Sequence, residues 1–427
     1  MSEAAPGGER IATLDIVRGV AVMGILAMNI IAFAMPGAAY LNPMAYGTQG
    51  PADLASWVFS FILVDGKMRG LFSFLFGASL LLVVERADAG GRNPAAVHYS
   101  RMVWLLVFGL IHFYLIWFGD ILSLYAPIGM IAFLFQRFTV RQMLRVGAFL
   151  ILAQCALFTL FALDLFRQAA AAAAPGASAA TIAGWADTQN GFGLYAPARL
   201  AEILASYRAS WLNIVAANWA RDGAGPLNAL WQFGGETLAY MLFGMAALKS
   251  GFLTGAWSDR AYARVAALGF GIGIPAYAAF AWLIIGGHFS VPMLVAFSVA
   301  APVLTRPPMI VAIAALVILL TRRGGPLTQR IAAAGRAAFT NYLGTSILMT
   351  ALFYGWGFGL FGHLSRVQLW IPVVAMWVLM LLWSKPWLDR FDYGPFEWLW
   401  RSLARWQLQP MRRQGRAPAA VEYRVTP

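Results

Sequence analysis

Ten apolar runs set the terms on which this chain can fold. They lie near residues 12–36, 68–85, 102–118, 121–135, 141–163, 229–249, 262–285, 307–321, 335–354 and 369–384. Each approaches the ~20 residues that a helix needs to cross the hydrocarbon layer. In lipid every backbone N–H and C=O must be satisfied inside the segment, so such runs become helices. Composition agrees: 60% of residues are hydrophobic and 11% charged, against about a quarter charged in soluble domains. The short alternating strands of an outer-membrane barrel are absent. The expected fold is all-α, a polytopic integral membrane bundle of about ten transmembrane helices with interfacial helices.

The formal net charge is +13. In a soluble protein that excess would point to nucleic acid, but here the basic residues sit between the apolar runs, so no nucleic-acid partner is expected. Residues 37–56 carry no Lys or Arg and should lie outside. The groups Arg86/Arg92/Arg101, Arg137/Arg141/Arg145, Arg260/Arg264, Arg322/Arg323/Arg330 and Arg405/Arg412/Arg413/Arg416 all fall on one side if both termini are cytoplasmic and ten runs span. Counting 288–306 as a further span would reverse the tail, so that stretch is expected to re-enter or lie in the interface. The first run holds Asp15 and Arg18 and lacks a clear cleavage site, so it reads as a retained span. Residues 164–228 carry an alanine tract, Pro175, Trp185, Trp211 and Trp219, which predicts a flexible stretch and then amphipathic interfacial helices. A similar helix is expected over 53–66. The organisation is therefore a five-helix half (1–163), an extracytoplasmic linker (164–228), and a second five-helix half with a cytoplasmic tail (229–427).

Polar residues inside such runs carry the functional signal, because charge in hydrocarbon costs several kcal/mol and usually faces a bundle interior or a wet cavity. In the first run, Asp15, Arg18, Val22 and Asn29 share one helical stripe, and Asp15 can pair with Arg18. GLIHFYLIWFGDILSLYAPIG places His112 in the outer half of the membrane, Asp120 at the outer mouth and Tyr125 one turn beyond. His112 reads either as a general base oriented by that carboxylate or as a core histidine bonded to a neighbouring helix. Asp120 reads equally as a helix cap. Asp65, Lys67 and Arg69 either neutralise one another at a helix start or line a polar mouth. Glu236 requires an Arg partner or water. In AAGRAAFTNYLGTS, Arg336 either follows the orientation rule or binds phosphate, and Asn341 and Tyr342 follow it into the span.

No P-loop, dinucleotide glycine fingerprint, HExxH or serine elbow is present. His98, His288 and His363 fall in expected loops without ligand spacing, and Cys155 is alone in an apolar run, so no metal is expected.

The segments RIATLDIVRGVAVMGILAMN, LFSFLFGASL, GLIHFYLIWFGDILSLYAPIG, AAGRAAFTNYLGTS and YGPFEWLWRSL together resemble the YeiB-type bacterial inner-membrane family, across essentially the whole chain. The opening D-x-x-R-G-x-A also resembles the first helix of the transmembrane acyltransferase superfamily, which includes the heparan-α-glucosaminide N-acetyltransferases, the acyltransferase-3 proteins and OpgC. The resemblance implies acyl transfer from a cytoplasmic acyl-CoA, such as acetyl-CoA, to a small-molecule or glycan acceptor outside. In the acyltransferase-3 proteins a functional His follows the Arg by about three turns. The position here is Asn29, which cannot act as a base. By analogy with the heparan enzymes the base becomes His112, with Asp120 or Tyr125 orienting it. Arg336 would then meet CoA phosphates, Arg18 and Asn29 would line the path of the pantetheine arm, and Asn29 or Asn341 would face the developing oxyanion. Asp15, Asp65, Lys67, Arg69 and Glu236 are supporting polar residues. The same residues also suit a transporter or channel for a small organic solute, or a non-catalytic scaffold. Membrane lipid is the expected environment, in the inner membrane, and a homodimer is compatible with the sequence.

Overall fold

The computed structural model describes residues 12–193 and 195–412; Arg10, Ile11, Arg413, Arg416 and both termini lie outside that range. The described residues form helices and no strand: α1 (Ala12–Ala34), α2 (Pro51–Leu63), α3 (Lys67–Ala89), α4 (Pro94–Ile111), α5 (Leu122–Ala132), α6 (Val140–Ala173), α7 (Ala179–Gly191), α8 (Pro197–Tyr207), α9 (Trp211–Asp222), α10 (Gly225–Lys249), α11 (Asp259–Gly286), α12 (Val291–Leu294), α13 (Pro302–Thr321), α14 (Pro326–Arg336), α15 (Ala338–Phe353), α16 (Trp370–Arg390) and α17 (Pro395–Ala404).

Seven helical stretches among the described residues are long and apolar enough to cross a membrane: Ala12–Ala34, Pro51–Ala89, Pro94–Ile116, Val140–Ala173, Asp259–Gly286, Val291–Thr321 and Trp370–Arg390. The other three apolar runs are also helical. Leu122–Phe135 and the 16-residue α15 are shorter, and α10 carries Glu236 in its middle.

Three local expectations need correction. The stretch 288–306 is not a separate re-entrant segment, because Val291–Thr321 is one helical run of 31 residues. Pro302, Pro307 and Pro308 lack the N–H that closes a helical turn, which reads in sequence as a break. A π turn over Val295–Ala300 precedes them and keeps the run continuous. At roughly 1.5 Å per residue it is about 46 Å long. The second correction concerns the linker. α6 continues to Ala173, through the alanine tract, because alanine is the best helix former. His98 likewise lies on α4 rather than in a loop, with Nε2 3.0 Å from the Gly129 carbonyl and its ring stacked on Phe133.

The expected halves interleave through glycines. At Gly19 on α1 a Cβ would intrude on the Ile331 carbonyl, and at Gly335 on α14 it would intrude on the Asp15 carbonyl. α3 and α10 cross in the same reciprocal way, Gly77 against Met241 and Gly244 against Phe74. Hydrophobic attraction between helices is lost in lipid, so close backbone approach at small residues is what joins them. Two family-like motifs, D-x-x-R-G and A-A-G-R, are therefore in direct contact.

The alternation of helix ends gives two faces. One gathers the starts of α1, α4, α6 and α11, the ends of α3, α10, α13 and α16, and the amphipathic α17. There Lys249 donates to the Gln136 and Phe138 carbonyls, Arg322 pairs with Asp259, and Arg101 lies over Trp400. This is the basic face. The opposite face is built from residues 35–66, 117–121, α7–α9 and 354–369. Arg366 there donates to the Ala39 and Tyr46 carbonyls, and Arg208 to that of Phe361.

Candidate functional site

A cavity of about 700 Å³ opens at the basic face between α1, α3, α4, α5, α15 and α17. Its mouth carries Arg18, Arg86, Arg101, Arg336 and Arg401 against Asp15, Asp392 and Glu397. Its lining follows α3 from Arg86 back to Phe72, about 20 Å of axis at roughly 1.5 Å per residue. The walls are apolar, with Leu75, Phe76, Leu80, Met102, Leu105 and Phe339. Tyr125 and Tyr342 close the deep end.

The first-helix motif supplies one side of the mouth. Arg18 Nη1 donates to Asp15 at 3.1 Å, and Nη2 donates to Ser79 Oγ on α3 at 2.7 Å. The missing side chain at Gly19 lets α14 seat against α1, which brings Arg336 to the same opening. α17 supplies the far rim. Glu397 accepts from the Phe339 and Thr340 N–H groups at 2.7 and 3.2 Å, capping the free donors that begin α15. Burial pushes the Glu397 carboxyl up from its ordinary range, against the pull of those hydrogen bonds.

His112 lies past the deep end. α4 loosens into a π turn over His112–Ile116, and the chain then reverses through Trp117–Ile121. This brings residues eight apart together: His112 Nδ1 and Asp120 Oδ2 are 2.8 Å apart, both buried. Asp120 Oδ1 accepts from Ser123 N–H at 2.7 Å. The capping and orienting roles of Asp120 therefore coexist, one on each oxygen. Nδ1 donates to an ionised carboxylate, and in the neutral imidazole Nε2 then presents a lone pair. That Nε2 is buried without a partner. Rings border it on two sides, Tyr342 with centroids 5.3 Å away and Trp117 at 6.2 Å. Tyr342 thus stands between His112 and the cavity, and neither His112 nor Asn29 is among the described residues that line it.

The remaining candidates separate into two groups. Arg69 donates to Glu236 at 2.6 Å, Tyr240 donates to Glu236 at 2.6 Å, and Arg306 pairs with the same carboxylate. Glu236 is fully buried, so this cluster satisfies the partner that the sequence required of it. Tyr125 links the cluster to the cavity, with its hydroxyl 2.7 Å from Ser73 Oγ and 3.1 Å from the Arg69 carbonyl. Lys67 points its ammonium at the Phe61 carbonyl (2.6 Å) and the Tyr277 ring (3.1 Å). Asp65 lines a smaller cleft of about 30 Å³ on the opposite face, with Tyr40, Ser298 and Arg366. Asn341 turns away from the cavity. Its amide donates to the Ala334 carbonyl and Ser384, and its oxygen accepts from Trp383, tying α15 to α14 and α16.

Arg306 escapes sequence reasoning because it lies in the proline-rich stretch taken for an interfacial segment. Its signal is a lone arginine inside 31 helical residues. Trp117 escapes because an aromatic at a span end reads as an interfacial anchor.

Comparison with known proteins finds one family and three bacterial relatives. The family described as "Protein of unknown function (DUF418)" matches residues 247–407. The chain is similar to the uncharacterized protein YeiB of Escherichia coli (strain K12), 35% identical over 92% of this chain and 96% of that one. It is also similar to the uncharacterized protein YxaH of Bacillus subtilis (strain 168), 30% identical over 95% and 97%. A 39.9 kDa protein from the amylase 3' region of Bacillus acidopullulyticus is 26% identical over 92% and 94%. No solved structure matches.

Proposed function

The chain belongs to the DUF418 family of YeiB-like membrane proteins, and on that footing we propose that it is an integral-membrane acyltransferase of the bacterial inner membrane. In this reading the basic face and both termini are cytoplasmic, as the distribution of Lys and Arg favours. The donor is an acyl-CoA. The observation that carries the proposal is the cavity: an arginine mouth suited to phosphates, then about 20 Å of apolar wall, ending one aromatic ring short of a His–Asp dyad. Guanidinium groups match phosphate oxygens in paired hydrogen bonds, and the apolar depth suits an extended arm and its acyl group.

The chemistry assigned to the chain is general-base catalysis. His112 Nε2 takes the proton from an acceptor that enters from the opposite face. The acceptor's lone pair attacks the thioester carbonyl, the C–S bond breaks, and the departing thiolate takes the proton back from His112. Asp120 stays ionised and holds the imidazole in one tautomer throughout. Tyr342 is the partition, so its ring turns aside when the donor arrives. With Asn341 committed to Ser384 and Trp383, the Tyr342 hydroxyl takes the oxyanion role in this reading.

The test is to incubate purified protein in lipid nanodiscs with acetyl-CoA labelled in the acetyl group. Binding and slow loss of label are expected. His112→Gln should bind but retain the label, and Arg336→Gln should bind more weakly. If labelled acetyl-CoA neither binds nor loses its acetyl group, and liposomes carrying the protein accumulate an organic solute instead, the transporter alternative replaces this reading.

A further inference from the structure

Two buried hydrogen-bonding groups on adjacent rings at the end of α4 have no hydrogen-bond partner among the described residues. One is His112 Nε2 and the other is Trp117 Nε1, and each residue is about 1% exposed. Orphaned polar atoms at that depth are rare in folded proteins, and each costs on the order of 1–3 kcal/mol. Their rings touch edge to face, with centroids 6.2 Å apart and planes at 71°. They make no hydrogen bond to one another, yet their polarities are opposite. In the neutral imidazole, a hydrogen bond from Nδ1 to Asp120 leaves Nε2 an acceptor, whereas an indole N–H only donates.

Neither group moves freely. Trp117 is stacked on Phe33 of α1 with centroids 3.9 Å apart, and its backbone N–H donates to the His112 carbonyl at 2.8 Å, leaving the indole N–H uncommitted. Asp120, anchored by the Ser123 N–H, holds the imidazole. The pair is preorganised for a group that donates once and accepts once. A carboxylate would satisfy Trp117 and leave Nε2 facing a negative charge. An ammonium would satisfy Nε2 and repel the indole N–H. A hydroxyl satisfies both.

Resting on the acyltransferase reading, we propose that His112 Nε2 and Trp117 Nε1 together form the acceptor subsite, and that the group they hold is an alcohol hydroxyl. Trp117 is the positioning residue: its N–H accepts no proton and holds the oxygen while His112 removes the hydrogen. The reaction is then O-acylation. The O–H bond breaks to Nε2, and the new C–O bond replaces the thioester C–S bond.

The experiment separates this pairing from the wider reading. Protein labelled with ¹⁵N-histidine, in nanodiscs without any donor, is titrated with methanol, methylammonium and formate, three probes of similar size. His112 is identified by the signal lost in His112→Gln. Methanol should shift the Nε2 resonance from its lone-pair position, and the two ions should not. In Trp117→Phe, which keeps an aromatic ring beside Phe33 but no N–H, methanol should bind about fivefold more weakly through loss of one hydrogen bond. A protonated Nε2 at rest, no shift at saturating methanol, an equal response to either ion, or unchanged affinity in Trp117→Phe would each overturn the pairing. If the methanol response is as expected but no acetyl group passes from acetyl-CoA to methanol or glycerol, the subsite stands and the acyltransferase reading fails.

Discussion

Glu236 holds two guanidinium groups at once, and removing its charge should cost more than removing either of its partners. In Glu236→Gln the side chain keeps its shape and one acceptor oxygen, but its new NH₂ faces an arginine that can only donate. Arg306 is then left about nine-tenths buried and Arg69 about three-quarters buried, with no counter-charge between them. Breaking a buried pair from one side typically costs about 3–5 kcal/mol, because the remaining charge stays desolvated. Arg306→Met instead leaves one acid facing one base, with Tyr240 still donating, and should cost clearly less. Glu202→Gln breaks the Arg199–Glu202 pair, whose side chains are 55% and 67% exposed, and should cost under about 1 kcal/mol. The expected order of loss is therefore Glu236→Gln, then Arg306→Met, then Glu202→Gln. Thermal unfolding in one detergent, followed by tryptophan fluorescence, reads that order directly. Equal melting of Glu236→Gln and Glu202→Gln, or a greater loss in Arg306→Met than in Glu236→Gln, would refute the reasoning that the cluster is an over-supplied carboxylate.

Three further outcomes follow from the same geometry. Gly19→Ala should lower the melting temperature and weaken acyl-CoA binding together, because its Cβ meets the Ile331 carbonyl and parts α1 from α14; overpacking of this kind costs about 1–3 kcal/mol, while Gly271→Ala, with open space around it, should be neutral or slightly stabilising in the same melt. Arg336→Gln should weaken adenosine 3′,5′-bisphosphate binding about tenfold or more by calorimetry, as expected for one charge-assisted hydrogen bond. Anion binding at the mouth should strengthen as pH falls from neutral towards the acid range, since burial raises the Glu397 carboxyl and it takes up its proton sooner than a free glutamate; a binding titration of Glu397→Gln should show less of that rise.

The helices were legible because lipid leaves the backbone few alternatives. All ten apolar runs are helical, and the Asp15–Arg18 pair follows from a three-residue spacing on one face. What required three dimensions was the meeting of distant segments. Arg69 and Glu236 were each recognised as polar residues needing a partner, but nothing local says that they find one another across 167 positions, still less that Arg306 joins them. His112 and Asp120 are eight apart, a separation at which an α-helix would point them about 80° away from one another and two turns apart. The π turn and the reversal after it bring them together. Asn341 shows the opposite limit: a polar residue in a span can belong wholly to helix joining, and its sequence context looks no different.

The depth of the arginine-rimmed cavity has an electrical consequence. Filled with water, a cavity that follows α3 as far as Phe72 would carry the potential of one bathing solution deep into the bundle. The membrane voltage would then fall mainly across the remaining layer of protein, where His112, Asp120, Arg69 and Glu236 lie. A unit charge moved across the full drop exchanges about 2.3 kcal/mol for every 100 mV. In the acyltransferase reading, a proton that His112 gains and returns would cross part of that drop, and membrane voltage would enter the driving force of the step.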